Sequence, residues 1–182
     1  WHKMGASRVV LARELSLEEI STIRKNIAPE MELEAFCHGA MCMSYSGRCL
    51  MSSYMTGRDP NKGDCAHPCR YKYYLMEEKR PGEYFPIEET EGGTYIMNSK
   101  DMKTISFVEK LIEAGITSLK IEGRVKSAYY IATVVRAYRR AIDSYLKDPE
   151  NYKFDESLDK EVISSSHRPF TSGLYFGNPM VD

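Results

Sequence analysis

No stretch of this sequence stays apolar for the roughly 20 residues that a bilayer span needs, and the opening WHKMGASRVV lacks the apolar core of an export signal. No membrane contact is therefore expected, and the cytoplasm is the expected compartment. An excess of one charge is missing too: 25 Lys and Arg against 26 Asp and Glu leave a net charge of −1, which denies the chain any global pull toward nucleic acid. Any RNA contact must be local. Several catalytic signatures are absent, namely the Gly-x-Ser-x-Gly elbow of hydrolases, the His-Glu-x-x-His of zinc proteases and a Gly-rich phosphate loop. Internal repeats and low-complexity tracts are absent as well. Cysteine is scarce, yet four of the five cysteines fall between positions 42 and 69. A chain of 182 residues buries a core without disulfides, and a cytoplasmic thiol cluster points to metal or redox chemistry rather than to staples. The chain does not begin with Met, and a piece of a longer protein is the expectation.

What is present alternates strand and helix. Val9, Val10 and Leu11 form a short buried run that ends at the polar Arg13 and Glu14. Ser16 with Glu19 three residues on has the spacing of a capping box, and Leu17, Ile20 and Ile23 carry a helix that Pro29 stops. MELEAFC is a second strand. After the cysteine loop, residues 70–101 read as strand segments around turns at Pro81-Gly82 and Gly92-Gly93. Ile105, Val108, Leu111 and Ile112 predict a helix closed by Gly115, and SLKIEGR is a third strand. Ile131, Val134, Val135, Tyr138, Ile142 and Tyr145 predict one apolar face of a long helix ending at Pro149, with Arg136, Arg139 and Arg140 facing solvent. Residues 150–182 read as mostly irregular. This is the order of parallel βα units, and three such units cannot close an eight-stranded barrel.

In a parallel α/β barrel the functional groups gather where strands end. Three polar clusters meet that condition: Arg13 and Glu14, then His38 with the cysteine loop, then Glu122 and Arg124. Solvated strand ends or structural ion pairs explain the same letters one residue at a time; three coincident clusters favour function. The cysteines run C-x6-C-x15-C-x3-C from Cys42 through Cys49 and Cys65 to Cys69. Four thiolates suit tetrahedral zinc or a four-iron, four-sulfur cluster. The paired C-x2-C turns of zinc ribbons are missing, which favours iron–sulfur, and a buried set of inert thiols is the remaining reading. Cys37 ends an apolar strand and reads as core, and its neighbour His38 should point to the opposite face. Arg48, Arg58, Lys62, Arg70 and Lys72 are interleaved with Tyr45, Tyr54, Tyr71, Tyr73 and Tyr74, a mixture that neutralises phosphates and stacks bases, though a solvated loop carries the same letters.

The runs EAFCHGAMCMSYSGRCLMSSYMTGRDPNKGDCAHPCR, SLKIEGRVKSAYY and SSHRPFTSGLYFGNP resemble the collagenase-like peptidase family of unassigned catalytic type, most of all its branch of prephenate-dependent tRNA uridine hydroxylases. The resemblance implies an α/β fold: the C-terminal part of a TIM-barrel-like (β/α) domain over residues 1–149, with a Cys-rich loop and β-hairpin insertion over 38–100. Residues 150–182 would then be a linker and the start of a following region. It implies an enzyme that converts the tRNA wobble uridine to 5-hydroxyuridine with prephenate as co-substrate, and a 4Fe-4S cluster on Cys42, Cys49, Cys65 and Cys69. On that basis Arg13 and Arg124 are expected to grip the carboxylates of prephenate, because a planar guanidinium binds a carboxylate through two hydrogen bonds. Glu14, His38 and Glu122 are expected in acid/base or orienting roles, and Arg48, Arg58 and Lys62 against the RNA backbone. A second copy or a related subunit is the expected protein partner. Peptidase activity, the source of the family's name, is the alternative, followed by a structural zinc or RNA-binding module.

Overall fold

The structure, a computed structural model, describes residues 1–177 apart from 43, 72, 84, 87–99 and 125. They form two units, Trp1–Met41 with Lys100–Asp182, and Cys42–Ser99. In chain order, the first unit opens with β1 (Arg8–Val10), α1 (Leu17–Asn26) and β2 (Glu32–Ala40). The second unit holds α2 (Met51–Thr56), two single-turn 3-10 helices, and the antiparallel pair β3 (Tyr74–Leu75) and β4 (Phe85–Pro86). The first unit then resumes with β5 (Asp101–Lys103), α3 (Val108–Glu113), β6 (Ser118–Ile121), α4 (Ala128–Lys147), α5 (Glu156–Ile163) and β7 (Phe170–Thr171).

The nine-residue β2 organises the sheet. β1 and β6 pair with it in parallel, β5 pairs antiparallel with His38–Ala40, and β7 runs parallel to β5. The sheet is therefore mixed rather than the uniformly parallel one expected. Alternation along β2 turns Leu33, Ala35 and Cys37 into a core shared with Ile20 of α1, Val108 and Leu111 of α3, and Val134, Ala137, Tyr138 and Ala141 of α4. The opposite face is a polar ladder. Arg8 donates to Glu32 at 2.6 Å, Ser118 donates to Glu34 at 2.7 Å, and Lys120 lies 3.8 Å from the same Glu34.

The capping box at Ser16 forms in both directions: Ser16 Oγ accepts the Glu19 N–H at 3.2 Å, and Glu19 Oε2 accepts the Ser16 N–H at 2.8 Å. The helix ends at Asn26, ahead of Pro29. On α4 the expected face needs one correction. Val135 is 46% exposed, and the buried stripe runs instead through Tyr130, Val134, Ala137, Tyr138, Ala141 and Tyr145. Small alanines let α4 lie close to the sheet, which a search for large apolar letters overlooks.

Residues 150–182 are more ordered than expected. Asp155 caps α5 by accepting the Ser157 N–H at 2.9 Å, Leu158 and Val162 bury one turn apart, and β7 extends the sheet. Lys103 anchors α5 to β5 through Asp159 at 2.6 Å. The turn expected at Pro81-Gly82 is present, with Gly82 at φ 94°; the Gly92-Gly93 turn lies outside the described residues.

Candidate functional site

The C-terminal end of β2 is where the first unit concentrates its unusual chemistry. Register with β6 shifts between Phe36 and His38, so strict alternation breaks there, and Cys37 and His38 are both buried. Gly39 follows at φ 101°, and a Cβ on it would stand 2.1 Å from the Glu122 carbonyl oxygen. Only glycine permits that approach. The His38 carbonyl accepts the Glu122 N–H at 2.8 Å, which fixes the end of β6 beside the end of β2.

His38 is 1% exposed. Its ring packs among Tyr130, Tyr138 and Phe170 with centroids 5.5 to 5.9 Å apart. Tyr138 donates its single proton to the Cys37 carbonyl at 2.8 Å and accepts the Thr104 N–H at 2.9 Å. With that proton on the Cys37 carbonyl, the Tyr138 oxygen presents a lone pair to His38 Nδ1, 3.3 Å away, which is the arrangement for an Nδ1–H tautomer; with Thr104 Oγ1 serving the same carbonyl at 3.0 Å, the proton can instead face Nδ1. Nε2 is buried and has no hydrogen-bond partner among the described residues. Burial pushes the His38 pKa down to about 4; the charge of Asp101 opposes this, while Lys103, Lys126 and His167 reinforce it.

Asp101 is itself buried. Its Oδ2 lies 3.5 Å from Lys126 Nζ and accepts the Arg168 N–H at 3.3 Å. Lys126 also donates to the Ser166 carbonyl at 3.0 Å and sits 4.8 Å over the Tyr130 ring. His167 stacks on Phe170 at 4.2 Å, and His38 meets the same ring tilted at 5.6 Å. Sequence reasoning did not single out Asp101, Lys126 or His167 as site residues. The only signal for His167 was the SSHRPF run, and Asp101 was read only as the last residue of the strand segments and turns over 70–101.

Of the residues expected at the strand ends, His38 and Glu122 are brought together by the β2–β6 backbone. Arg13 lies along the same strand, its guanidinium 4.0 Å over the Phe36 ring, with Lys120 5.1 Å from that ring. Tyr175 donates to the Phe36 carbonyl and lies in the field of Arg13. Glu14 is half-buried and Arg124 exposed, and the Arg124 N–H is accepted by Glu122 Oε1 at 3.1 Å. His38 lies inside the fold rather than on an open rim.

The second unit builds the thiol loop from local polar contacts. Ser52 Oγ accepts the Ala66 N–H at 3.0 Å, Asn61 donates to the Cys49 carbonyl at 3.2 Å, and Asp59 caps the turn Pro60–Lys62. His67 adopts φ 56°, rare for a non-glycine residue, and its N–H points at Cys65 Sγ, 3.3 Å away. Pro68 then starts the turn that carries Cys69. Burial raises the Cys69 pKa, Arg70 opposes this, and the charges of Cys42, Cys65 and Cys49 raise it further, so the three other thiols share the electrostatic neighbourhood of Cys69. Among the described residues no disulfide joins any of the five cysteines. The donor chemistry of the loop, four thiols and an N–H aimed at one sulfur, fits a soft metal or an iron–sulfur cluster. Among the described residues, no three His, Cys, Asp or Glu side chains stand close enough around one point to hold an ion. Arg58 pairs with Asp64 at 2.7 Å, Lys62 lies 3.9 Å from Asp59, and Arg48 is exposed. Among the described residues, no helix is long and apolar enough to cross a membrane.

Similarity to known proteins places this geometry. The protein named tRNA hydroxylation protein P from Escherichia coli (strain K12) is 43% identical over 213 residues, covering 96% of this chain and 46% of that protein. The tRNA hydroxylation protein P1 of Bacillus subtilis (strain 168) is 42% identical, covering 98% of this chain and 42% of the relative. A protein named Collagenase from Porphyromonas gingivalis (strain ATCC BAA-308 / W83) is 35% identical over 94% of this chain and 42% of its own length. The chain thus spans less than half the length of each of these relatives. No solved structure matches it. The family described as Peptidase family U32 matches residues 1–182, and with that match running from the first residue to the last, this chain belongs to peptidase family U32.

Proposed function

We propose that this chain is part of an RNA-hydroxylating enzyme that acts on tRNA, converting the wobble uridine to 5-hydroxyuridine with prephenate as co-substrate. The observation that carries the reading is that relatives 42–43% identical over 96–98% of this chain bear the name tRNA hydroxylation protein. The four cysteines would hold a 4Fe-4S cluster, which when bound supplies one-electron chemistry. Arg13 and Arg124 are the candidates to bind the carboxylates of prephenate, with Glu14 and Glu122 to orient it. His38, kept neutral by its burial, is the candidate for an acid/base or orienting role. Arg48, Arg58 and Lys62 are the candidates for phosphate contacts. Parallel pairing of β1, β2 and β6, with α3 and α4 packed on one face, supports a segment of a TIM-barrel-like domain. A second copy or a related subunit would complete the assembly.

Metal analysis tests this reading. Protein purified without oxygen should carry about four irons per chain with matching sulfide, the content of one cubane cluster. tRNA from cells lacking the protein should lose 5-hydroxyuridine. Stoichiometric zinc, or no metal, overturns the cluster, and unchanged tRNA overturns the reaction.

The Collagenase relative keeps peptide hydrolysis as the second reading. Within the described residues no serine or cysteine is hydrogen-bonded to His38, and burial raises the Cys37 thiol far above the range of a nucleophile. Peptide cleavage by metal-free protein would favour it.

A further inference from the structure

The second unit exposes more aromatic surface than its own packing uses. Tyr54, on α2, is 93% exposed; its N–H donates to the Leu50 carbonyl at 2.9 Å, and among the described residues its side chain makes no hydrogen bond or ring contact. Its neighbour Met55 has its sulfur 3.6 Å from the Tyr73 hydroxyl, and the Tyr73 ring lies 6.3 Å from that of Tyr71. Tyr71 is 53% exposed. Both of these hydroxyls are tied down, Tyr71 to the Ala66 carbonyl at 3.2 Å and Tyr73 to the Pro68 carbonyl at 2.7 Å. Arg58, held by Asp64, feels the charges of Cys65 and Tyr71. Met55, Tyr73 and Tyr71 therefore form one strip, and Arg58 follows Met55 by three residues along the chain.

We infer that this strip, with Tyr54 beside it, is a stacking platform for unpaired bases of a single-stranded RNA loop. The inference rests on the RNA reading above and adds the place where the bases sit. Tethered hydroxyls fix the rings while leaving part of each exposed, so little rotamer entropy is lost when a base stacks on them. Residues 42–76, which carry these rings, hold five Lys and Arg against Asp59 and Asp64, and the other acidic residues of the unit lie beyond them, from Glu77 and Glu78 on. Open rings beside surplus cations match unpaired nucleotides, rings to bases and cations to phosphates. An apolar protein patch would match the tyrosines and leave the charge unanswered.

Binding of the intact protein to a labelled anticodon stem-loop, against a fully paired duplex of equal length, tests the platform. Tyr54→Ala and Tyr71→Ala should each weaken stem-loop binding roughly 5- to 150-fold, the range for losing one stacked base. Tyr71→Phe keeps the ring and loses its tether, so its affinity should fall between wild type and Tyr71→Ala, and Arg58→Ala should lower the salt slope by about one. Among the described residues the Tyr54 side chain has no hydrogen-bond or ring partner, so its variant reports stacking without a folding defect. Unchanged stem-loop affinity in both alanine variants overturns the platform and leaves the RNA reading standing. Equal weakening on stem-loop and duplex also overturns it, because the strip would then be a general phosphate contact. A wild-type protein that binds neither RNA overturns the RNA reading and the platform together.

Discussion

The Tyr138 hydroxyl and His38 Nδ1 lie 3.3 Å apart, and this contact joins α4 to the end of β2. The same hydroxyl ties the Cys37 carbonyl to the Thr104 N–H, so one phenol oxygen serves three backbone or ring partners in a buried site. Nitrogen NMR of the histidines should find His38 neutral near pH 7, with the hydrogen on Nδ1 if Tyr138 donates to the Cys37 carbonyl. The Nε2–H tautomer would turn the Tyr138 proton toward Nδ1 instead. Tyr138→Phe should cost about 1–3 kcal/mol, because it strands buried polar groups rather than merely deleting one bond.

The depressed pKa of His38 makes stability depend on acid. The folded state protonates His38 near 4 and the unfolded state near 6.5, so between these values the unfolded chain binds more protons. Stability from this group is fully present above about pH 6.5 and is lost as pH falls toward 4, amounting to about 3 kcal/mol. Urea midpoints measured from pH 7 to pH 4 should fall more steeply for the wild type than for His38→Gln. Parallel curves would mean that His38 is solvated in the folded protein.

How much of this was legible in the sequence depended on the kind of signal. The capping box at Ser16 and Glu19 is local chemistry at a fixed spacing, and it formed as its letters imply. The strand ends at His38 and Glu122 were legible because polar residues interrupt short apolar runs. Asp101 and Lys126 were not, because their pairing depends on β5 turning antiparallel to β2, a tertiary event with no local pattern. The register shift after Phe36 was equally silent, and it is what places His38 in the interior with Cys37 rather than across the sheet from it. α5 was missed because its two buried residues, Leu158 and Val162, make too short an apolar pattern to outweigh the charged letters around them.

Asp101 and Lys126 form a buried pair whose two halves should not be separable without loss. Asp101→Asn leaves the Lys126 ammonium in a site only 18% exposed, at a cost of about 3 kcal/mol. It also removes the charge that holds the His38 pKa up, so His38 should titrate below its wild-type value. Adding Lys126→Met should recover most of the stability. If the double variant is no more stable than Asp101→Asn alone, the two residues are not coupled.

Gly39→Ala should be among the most damaging small substitutions in the chain. The new methyl meets a backbone oxygen, which moves only if β6 moves, and the backbone there has a positive φ. Gly123→Ala is the matched control. Its methyl meets the terminal carbon of Ile131, and a side-chain end can rotate away. Thermal unfolding should place Gly39→Ala at least about 2 kcal/mol below Gly123→Ala. Equal melting temperatures would mean that the β2–β6 junction is looser than its geometry.

The five cysteines should divide four to one. Cys37 is fully buried, its Sγ rests against the Lys120 carbonyl, and burial keeps the thiol neutral, which is the wrong protonation state for a metal ligand. Cys42, Cys49, Cys65 and Cys69 are all at least partly exposed and share one electrostatic neighbourhood. Closing them around a cluster needs only rearrangement of a loop held by a few polar contacts, whereas recruiting Cys37 would mean pulling a core residue out of β2. Iron and sulfide content measured without oxygen should be unchanged in Cys37→Ala and largely lost in Cys42→Ser, Cys49→Ser, Cys65→Ser and Cys69→Ser. Full iron in any one of the four serine variants removes that cysteine from the ligand set, and iron lost from Cys37→Ala in a folded protein would move the site into the first unit.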